Sequence, residues 1–290
     1  MSHIGFLSID KPLHLTSHDV VKKIRYIAHQ RRVGHAGTLD PLATGVLLVG
    51  IGVATRLIEY IQEQQKTYSA QLRLGQTTDT YDAEGDIITE QPVTLTQTDF
   101  LNALPPFRGH IQQQPPMYSA IKRQGQPLYK LARQGIEVER ASRPVSIYNL
   151  SLTHWDPPFA NIDVTCSAGT YIRSLAHDIG QTLGCGAHLT ALRRTAIGTF
   201  TANQAISLET ITSDNLAAHL FPIDTAVIHL PRLDLTHDQT TDIYHGRPLP
   251  IPPEHPPETV ARAYNPDNTF LGLLKAHPAH WQPHKIFHQQ

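Results

Sequence analysis

The sequence predicts an α+β fold with a small β-rich appendage at its C-terminal end. Three observations predict it. Apolar and polar residues alternate over 68–74 and again over 162–166, the period of two that a half-buried strand requires. Helical patterns stand among the strands, but the two do not take regular turns, which disfavours a parallel strand-helix-strand sheet. Beyond residue 221 the composition changes, since eleven of the 22 prolines and eight of the 18 histidines fall there.

Taken in order, 5–9 reads as a short strand. Thr16 with Asp19 three residues on has the spacing of a capping box, and Val20, Val21, Ile24, Ile27 and Ala28 follow at the spacing of one helix face. The apolar run 46–51 predicts a buried strand, and 54–62 a helix. Tyr68, Ala70, Leu72 and Leu74 alternate with Ser69, Gln71 and Arg73 in a strand. A short helix over 96–104 stops at Pro105-Pro106. Ile162, Val164 and Cys166 mark another strand, and 171–183 a helix ended by Gly184. Val260, Arg262 and Tyr264, then 270–274, read as strands about the turn Asn265-Pro266-Asp267-Asn268. Pro252-Pro253-Glu254-His255-Pro256-Pro257 excludes a helix or a central strand. The expected division is a catalytic domain over 1–220 and a small domain over 221–290.

The 290 residues suffice for one large domain or two ordinary ones. No apolar run approaches the roughly eighteen residues a membrane helix needs, and the first residues lack the basic and apolar segments of a secretory signal. Only Cys166 and Cys185 are present, so a disulfide framework is not expected and the reducing cytoplasm is the expected compartment. No membrane, metal, cofactor or protein partner is expected, and the chain is expected to be a monomer.

The net charge of −1 argues against nucleic acid at first, because phosphate binding draws on Lys and Arg. Net charge hides patches, however. Lys22, Lys23, Arg25, Arg31 and Arg32 cluster before residue 40, and Lys122, Arg123, Lys130, Arg133, Arg140 and Arg143 cluster later, opposed only by Glu137 and Glu139. Either cluster alone reads as a solvated face; together they favour an RNA footprint. Beyond residue 221 there are five basic and seven acidic residues, so that part carries no such signature.

The chemistry points to Gly34-His35-Ala36-Gly37-Thr38-Leu39-Asp40-Pro41-Leu42-Ala43-Thr44-Gly45. A lone carboxylate sits in a glycine-rich turn, followed by a proline that holds it extended. Such a group can act as nucleophile or general base, although an isolated Asp-Pro is more often a turn whose Asp bonds its own backbone. The apolar run that follows anchors the turn on a buried strand.

This stretch resembles the signature of the bacterial TruB family of tRNA pseudouridine synthases, G-H-x-G-x-L-D-P-x-A-x-G-V-L, at every fixed position. Four further blocks resemble the family in the same order. They are Lys66-Thr67-Tyr68 with Leu74-Gly75 and Thr78-Asp79-Thr80-Tyr81-Asp82-Ala83-Glu84-Gly85; 114–122; Cys166-Ser167-Ala168-Gly169-Thr170-Tyr171-Ile172-Arg173; and 184–189 with Leu192-Arg193-Arg194. The resemblance covers about the first two thirds of the chain. It implies the pseudouridine synthase fold, a mixed and largely antiparallel sheet flanked by helices, and isomerisation of a uridine in the T-loop of tRNA, at position 55. It also implies a PUA-like RNA-binding domain at 221–290 and an RNA-gripping insertion at about 122–143.

By the same resemblance Asp40 is the catalytic carboxylate, whether it attacks the sugar, attacks the base or removes a sugar proton. Arg173 pairs with it, and Tyr68 packs on the flipped uracil. Tyr171 and Leu192 wall the pocket, His35 holds the rearranged RNA loop, and Asp82 reaches the base or a neighbouring nucleotide. Lys122, Arg123, Lys130, Arg133 and Arg193 would meet the T-arm of tRNA. Taken alone, Tyr68 reads as a core or edge-strand aromatic, His35 as a turn histidine and Asp82 equally well as a loop cap. Two rivals fit poorly. Gly50-Ile51-Gly52 follows an apolar run, but Thr55 stands where a dinucleotide turn needs its third glycine, and Cys185 and His188 lack a second ligand pair for zinc. The remaining alternative is a tRNA-folding chaperone that keeps the fold without turnover.

Overall fold

Local rules govern the first helix. Thr16 Oγ1 accepts a hydrogen bond from the Asp19 amide at 3.1 Å, and Asp19 Oδ2 accepts one from the Thr16 amide at 3.0 Å, closing the capping box. Val20, Val21, Ile24 and Ile27 form the buried face. In this computed structural model residues 3–119, 121–123, 125–132, 134–251 and 254–288 are described, 122 and 123 by backbone alone. Pro252 and Pro253 lie outside the described residues, and residues 254–257 belong to neither helix nor strand.

In chain order the strands are β1 (Gly5–Lys11), β2 (Val33–His35), β3 (Ala43–Ile51), β4 (Lys66–Leu74), β5 (Gln76–Thr78), β6 (Ile87–Glu90), β7 (Gly109–Gln113), β8 (Lys122–Arg123), β9 (Gln126–Pro127), β10 (Arg143–Asp156), β11 (Phe159–Cys166), β12 (Ala187–Ile197), β13 (Phe200–Thr201), β14 (Ile206–Ser207), β15 (Arg232–Asp234), β16 (Val260–Tyr264), β17 (Phe270–His277) and β18 (His280–Ile286). The helices are α1 (Ser17–Ile27), α2 (Ile58–Gln62), α3 (Gln97–Ala103), α4 (Leu128–Ala132), α5 (Ile172–Thr182) and α6 (His237–Tyr244).

The main sheet runs β14-β1-β3-β12-β4-β11-β10-β7, with β2 added on β3 and β13 on β12. Only β1–β14 and β3–β12 pair in parallel; the rest of the sheet is antiparallel. This is the mixed, largely antiparallel α+β sheet expected. One face packs Leu47, Val49, Tyr68 and Leu192 against α1 and against Ile172, Leu175 and Ile179 of α5. The other packs Val46 and Leu48 against Leu57, Ile61, Ala226 and Val227. Covered on both faces, β3 needs the near-continuous apolar run its sequence carries.

The helix expected over 54–62 is α-helical only from Ile58. Residues Gly52–Leu57 wind as a 3₁₀ helix. Gly52 leaves β3 with φ 64°, and Thr55 Oγ1 donates to the Gly52 carbonyl at 2.8 Å while accepting from Arg32 Nε at 2.8 Å. These ties tighten the turn beyond the α pitch.

The strands β15 to β18 form a separate four-stranded sheet. Leu235, Ile243, Leu249, Leu271, Leu274 and Trp281 fill a core of its own, while Leu273 and Phe287 pack against the main body. The turn expected at 265–268 joins β16 to β17, with Asn268 at φ 60° and Asn265 Oδ1 accepting from the Thr269 amide at 2.7 Å.

Candidate active site

The Asp40 turn lies between β2 and β3 and is clipped from several sides. Ser17 Oγ accepts from the Leu39 amide at 2.8 Å and donates to the Leu39 carbonyl at 3.1 Å. The His14 amide donates to the Pro41 carbonyl at 2.9 Å, and Lys11 Nζ reaches the same oxygen at 3.4 Å. Asp40 is thus no self-capped surface turn; its backbone is fixed by β1, α1 and the segment between them.

Arg173 stands in the first turn of α5 and is 5% exposed. Its Nε meets Asp40 Oδ2 at 3.0 Å, its Nη1 meets Asp82 Oδ2 at 3.1 Å and the Thr80 carbonyl at 3.2 Å, and its Nη2 meets the Tyr118 carbonyl at 2.7 Å. All three nitrogens are engaged, so the guanidinium has one position. Asp82, 2% exposed, is held on its other oxygen by Thr80 Oγ1 at 2.6 Å and the Glu84 amide at 3.1 Å. Its loop docks on β12 through reciprocal backbone bonds between Tyr81, Ala83 and Leu189. Tyr81 stacks on His177, one helical turn past Arg173, with ring centroids 3.9 Å apart.

Asp40 still presents 39% of its side chain to solvent, yet burial is the strongest influence on its acidity and lifts its pKa above the usual carboxylate value. Protein atoms crowd the carboxylate, although part of it still meets solvent. Arg173 opposes the shift, Asp82 adds to it, and Lys11 and Arg194 oppose it again. Burial likewise raises the Tyr68 phenol, which makes the ring a poor base. Burial lowers the pKa of His35, favouring the neutral imidazole; its Nδ1 has no hydrogen-bond partner among the described residues.

Sheet register gathers the apolar wall. Leu192 pairs with Ala43 on one side and Ala70 on the other, and Arg194 pairs with Gly45 and Tyr68. Tyr68 and Leu192 are 7% and 8% exposed. Tyr171 caps α5, and its amide and carbonyl are both bound by the Gln113 side chain, at 2.8 and 3.0 Å. The Arg143 guanidinium lies over its ring, 4.9 Å from the centroid.

Asp40, Asp82 and Arg173 therefore form one bonded network, with Tyr68, Leu192 and Tyr171 on elements beside it and His35 on the neighbouring strand. The expected RNA-facing cations are more scattered. Lys130 is exposed on α4, and Lys122 and Arg123 form β8. Arg133 lies outside the described residues. Arg193 makes a bidentate pair with Asp10 at 2.9 and 2.8 Å. Elsewhere, a hollow of about 490 Å³ between Arg25, Tyr26, His29, Gln30 and Arg31, at the C-terminal end of α1, brings no carboxylate to its walls. Sequence reasoning missed Lys11, Ser17, Gln113 and Arg194. Only Arg194 lay in a block already singled out, and adjacent arginines read as surface charge.

Two family models match the chain. One, described as TruB family pseudouridylate synthase (N terminal domain), matches residues 25–172, and the other, tRNA pseudouridylate synthase B C-terminal domain, matches 173–228. The chain is 44% identical to the tRNA pseudouridine synthase B of Dehalococcoides mccartyi, covering 99% of this chain and 97% of that protein. It is also 44% identical to the protein of that name from Pseudomonas aeruginosa, covering 93% and 90%. Among solved structures, an H/ACA RNP bound to a substrate RNA containing 2′-deoxyuridine contains a chain that superposes with a TM-score of 0.77 at 25% identity, over 99% of this chain and 86% of that one. A Cbf5–Nop10–Gar1 complex contains another, with a TM-score of 0.77 at 26% identity, over 98% and 84%.

Proposed function

This chain belongs to the TruB family of pseudouridylate synthases, and from that premise we propose that it isomerises uridine to pseudouridine in tRNA, at T-loop position 55, with Asp40 acting on a flipped-out base. The N1–C1′ bond breaks, the uracil turns, C5–C1′ forms, and the proton on C5 leaves to solvent as N1 gains one. Reactant and product are isomers, so the reaction needs no net oxidant, and this reading calls for no cofactor.

The observation that carries the reading is the Asp40–Arg173 pair. A carboxylate that burial would protonate stands 3.0 Å from a guanidinium with one fixed position. The ion pair favours the ionised form, and the fixed geometry spares reorganisation when charge moves. Tyr68 gives the uracil a flat face, which offsets part of the few kcal/mol needed to unstack a base. Its raised pKa supports a stacking role over a proton-accepting one. Leu192 and Tyr171 wall the pocket, His35 steadies the opened RNA loop, and Asp82, both of whose oxygens are engaged, meets a base or its neighbour by exchanging one of its bonds to Thr80 or Glu84. Lys122, Arg123, Lys130, Arg133 and Arg193 are assigned to contacts with the T-arm, Arg193 by exchanging Asp10 for phosphate.

We assign catalysis to residues 1–220, the RNA grip to about 122–143, and a PUA-like RNA-binding role to 221–290; the separate core beneath β15–β18 supports the last division. The reading places a monomer in the cytoplasm. Among the described residues no helix is long and apolar enough to cross a membrane. The test is incubation of purified protein with unmodified tRNA, nothing else added, and mapping of pseudouridine by chemical labelling. Conversion at position 55 is expected; a transcript left unmodified rejects the proposal.

A further inference from the structure

Three cations bear on the Asp40 carboxylate, and they are held in different ways. Lys11, Arg173 and Arg194 are buried near Asp40 and the buried Asp82, and Lys66 is buried close to Arg194. Arg173 is paired with both carboxylates. Lys11 and Lys66 are satisfied by backbone carbonyls at the ends of their own segments. Arg194 differs. It is fully buried, the largest such side chain among the described residues, and none of them forms an ion pair with it.

Its guanidinium donates to backbone carbonyls of the Asp40 turn and of the strand that follows it, and also hydrogen-bonds the Tyr68 side chain. Nη2 donates to Gly37 at 3.1 Å and Nη1 to Thr38 at 3.4 Å, both ahead of the carboxylate; Nε donates to Val46 at 2.8 Å, behind it. One planar group closes the turn at both ends. The Arg194 backbone presses on it as well: at Gly45, where φ is +96°, an added Cβ would stand 2.2 Å from the Arg194 carbonyl oxygen. Burying a guanidinium without an anion is unfavourable, and hydrocarbon of similar volume would fill the space at less expense in desolvation. A purely structural staple does not require the charge. The charge does bear on Asp40, Tyr68 and His35, each of which is shifted by Arg194.

We propose that Arg194 is a positioning residue for the isomerisation, bolting the 37–46 turn at both ends so that the Asp40 carboxylate meets the base in one geometry. This rests on the functional reading above. Arg194→Lys keeps the charge and loses the two-ended fork; Arg194→Met keeps the length and loses both. The readout is single-turnover release of tritium from tRNA labelled at uridine C5, with tRNA affinity measured alongside. Both variants are expected to lose about 10- to 100-fold in rate with affinity unchanged. Met, but not Lys, is expected to move the acid limb of the pH–rate profile to higher pH. A wild-type rate in the Lys variant overturns the proposal, and so does a parallel fall of rate and affinity. Should neither variant fold, amide hydrogen exchange of the wild-type turn decides: slow exchange over 37–46 in the free protein is expected, and open-loop exchange overturns the proposal. A wild-type protein that leaves tRNA unmodified rejects the functional reading instead, and the exchange result then stands by itself.

Discussion

Replacing Arg173 with glutamine separates two consequences of one guanidinium. Asp82 and Arg173 have side chains 3% and 6% exposed, so solvent does little to screen the charge the variant strands. Breaking a buried pair by removing one partner costs about 3–5 kcal/mol. The Asp40 side chain, 39% exposed, adds less than about 1 kcal/mol. At roughly 2–4 °C per kcal/mol, Arg173→Gln is expected to lower the melting temperature by about 6–20 °C. Adding Asp82→Asn removes the stranded charge and is expected to restore about half of that loss or more. Activity is expected to stay absent in both, because Asp40 has lost its Nε–H donor. Thermal melts and tritium release from C5-labelled tRNA read the two quantities on the same samples. A single variant within about 1 kcal/mol of wild type, or a double variant no more stable than the single, would refute the reasoning.

Asp40 acts ionised and its pKa is raised by burial, so turnover is expected to fall, as pH drops, at a higher pH than an ordinary carboxylate would give; a single-turnover pH profile measures it. The same shift makes the folded chain hold that proton more tightly than the unfolded one. The stabilisation is fully present below the unfolded pKa of about 4 and lost as pH rises through the raised value, so Asp40→Asn is expected to melt no lower than wild type at pH 7. Gly45→Ala forces a Cβ onto the Arg194 carbonyl at positive φ and is expected to cost about 3 kcal/mol or more, read by denaturant unfolding. Thr96→Ala removes the capping box of α3 and is expected to cost about 1 kcal/mol with turnover intact. Ser17→Ala, which strands both backbone groups of Leu39, is expected to cost about 1–3 kcal/mol and to slow turnover as well.

Elements governed by local rules were legible in the chain. The capping box at Thr16 and the strict alternation of β4 formed where their residues predicted. The 14-residue strand β10 was missed, and its own geometry explains why. Its pairing with β11 shifts register between Ile147 and Asn149 and again between Leu152 and His154, so the apolar period breaks before a pattern can accumulate. In β12, shifts between Leu189 and Ala191 and between Arg194 and Ala196 hide the strand in the same way. Helix α6 buries only Ile243, too little for a helical stripe to show. In the site, motif resemblance named Asp40, Asp82 and Arg173, which the fold joins by direct bonds. It could not name Lys11 or Arg194. A lysine at the end of an apolar strand and the second of two arginines read as exposed charges, and only the folded turn, with its carbonyls pointing inward, shows where those charges go.

The central claim is that an ionised Asp40 held by Arg173 performs the chemistry, and Asp40→Asn tests it most directly. The amide keeps the shape and a hydrogen-bond acceptor for Arg173 but has no charge to give the reaction. With uniformly C5-tritiated tRNA and enzyme in excess, the variant is predicted to bind tRNA as wild type does and to release no tritium above the protein-free control. Release at a rate approaching that of wild type would contradict the account.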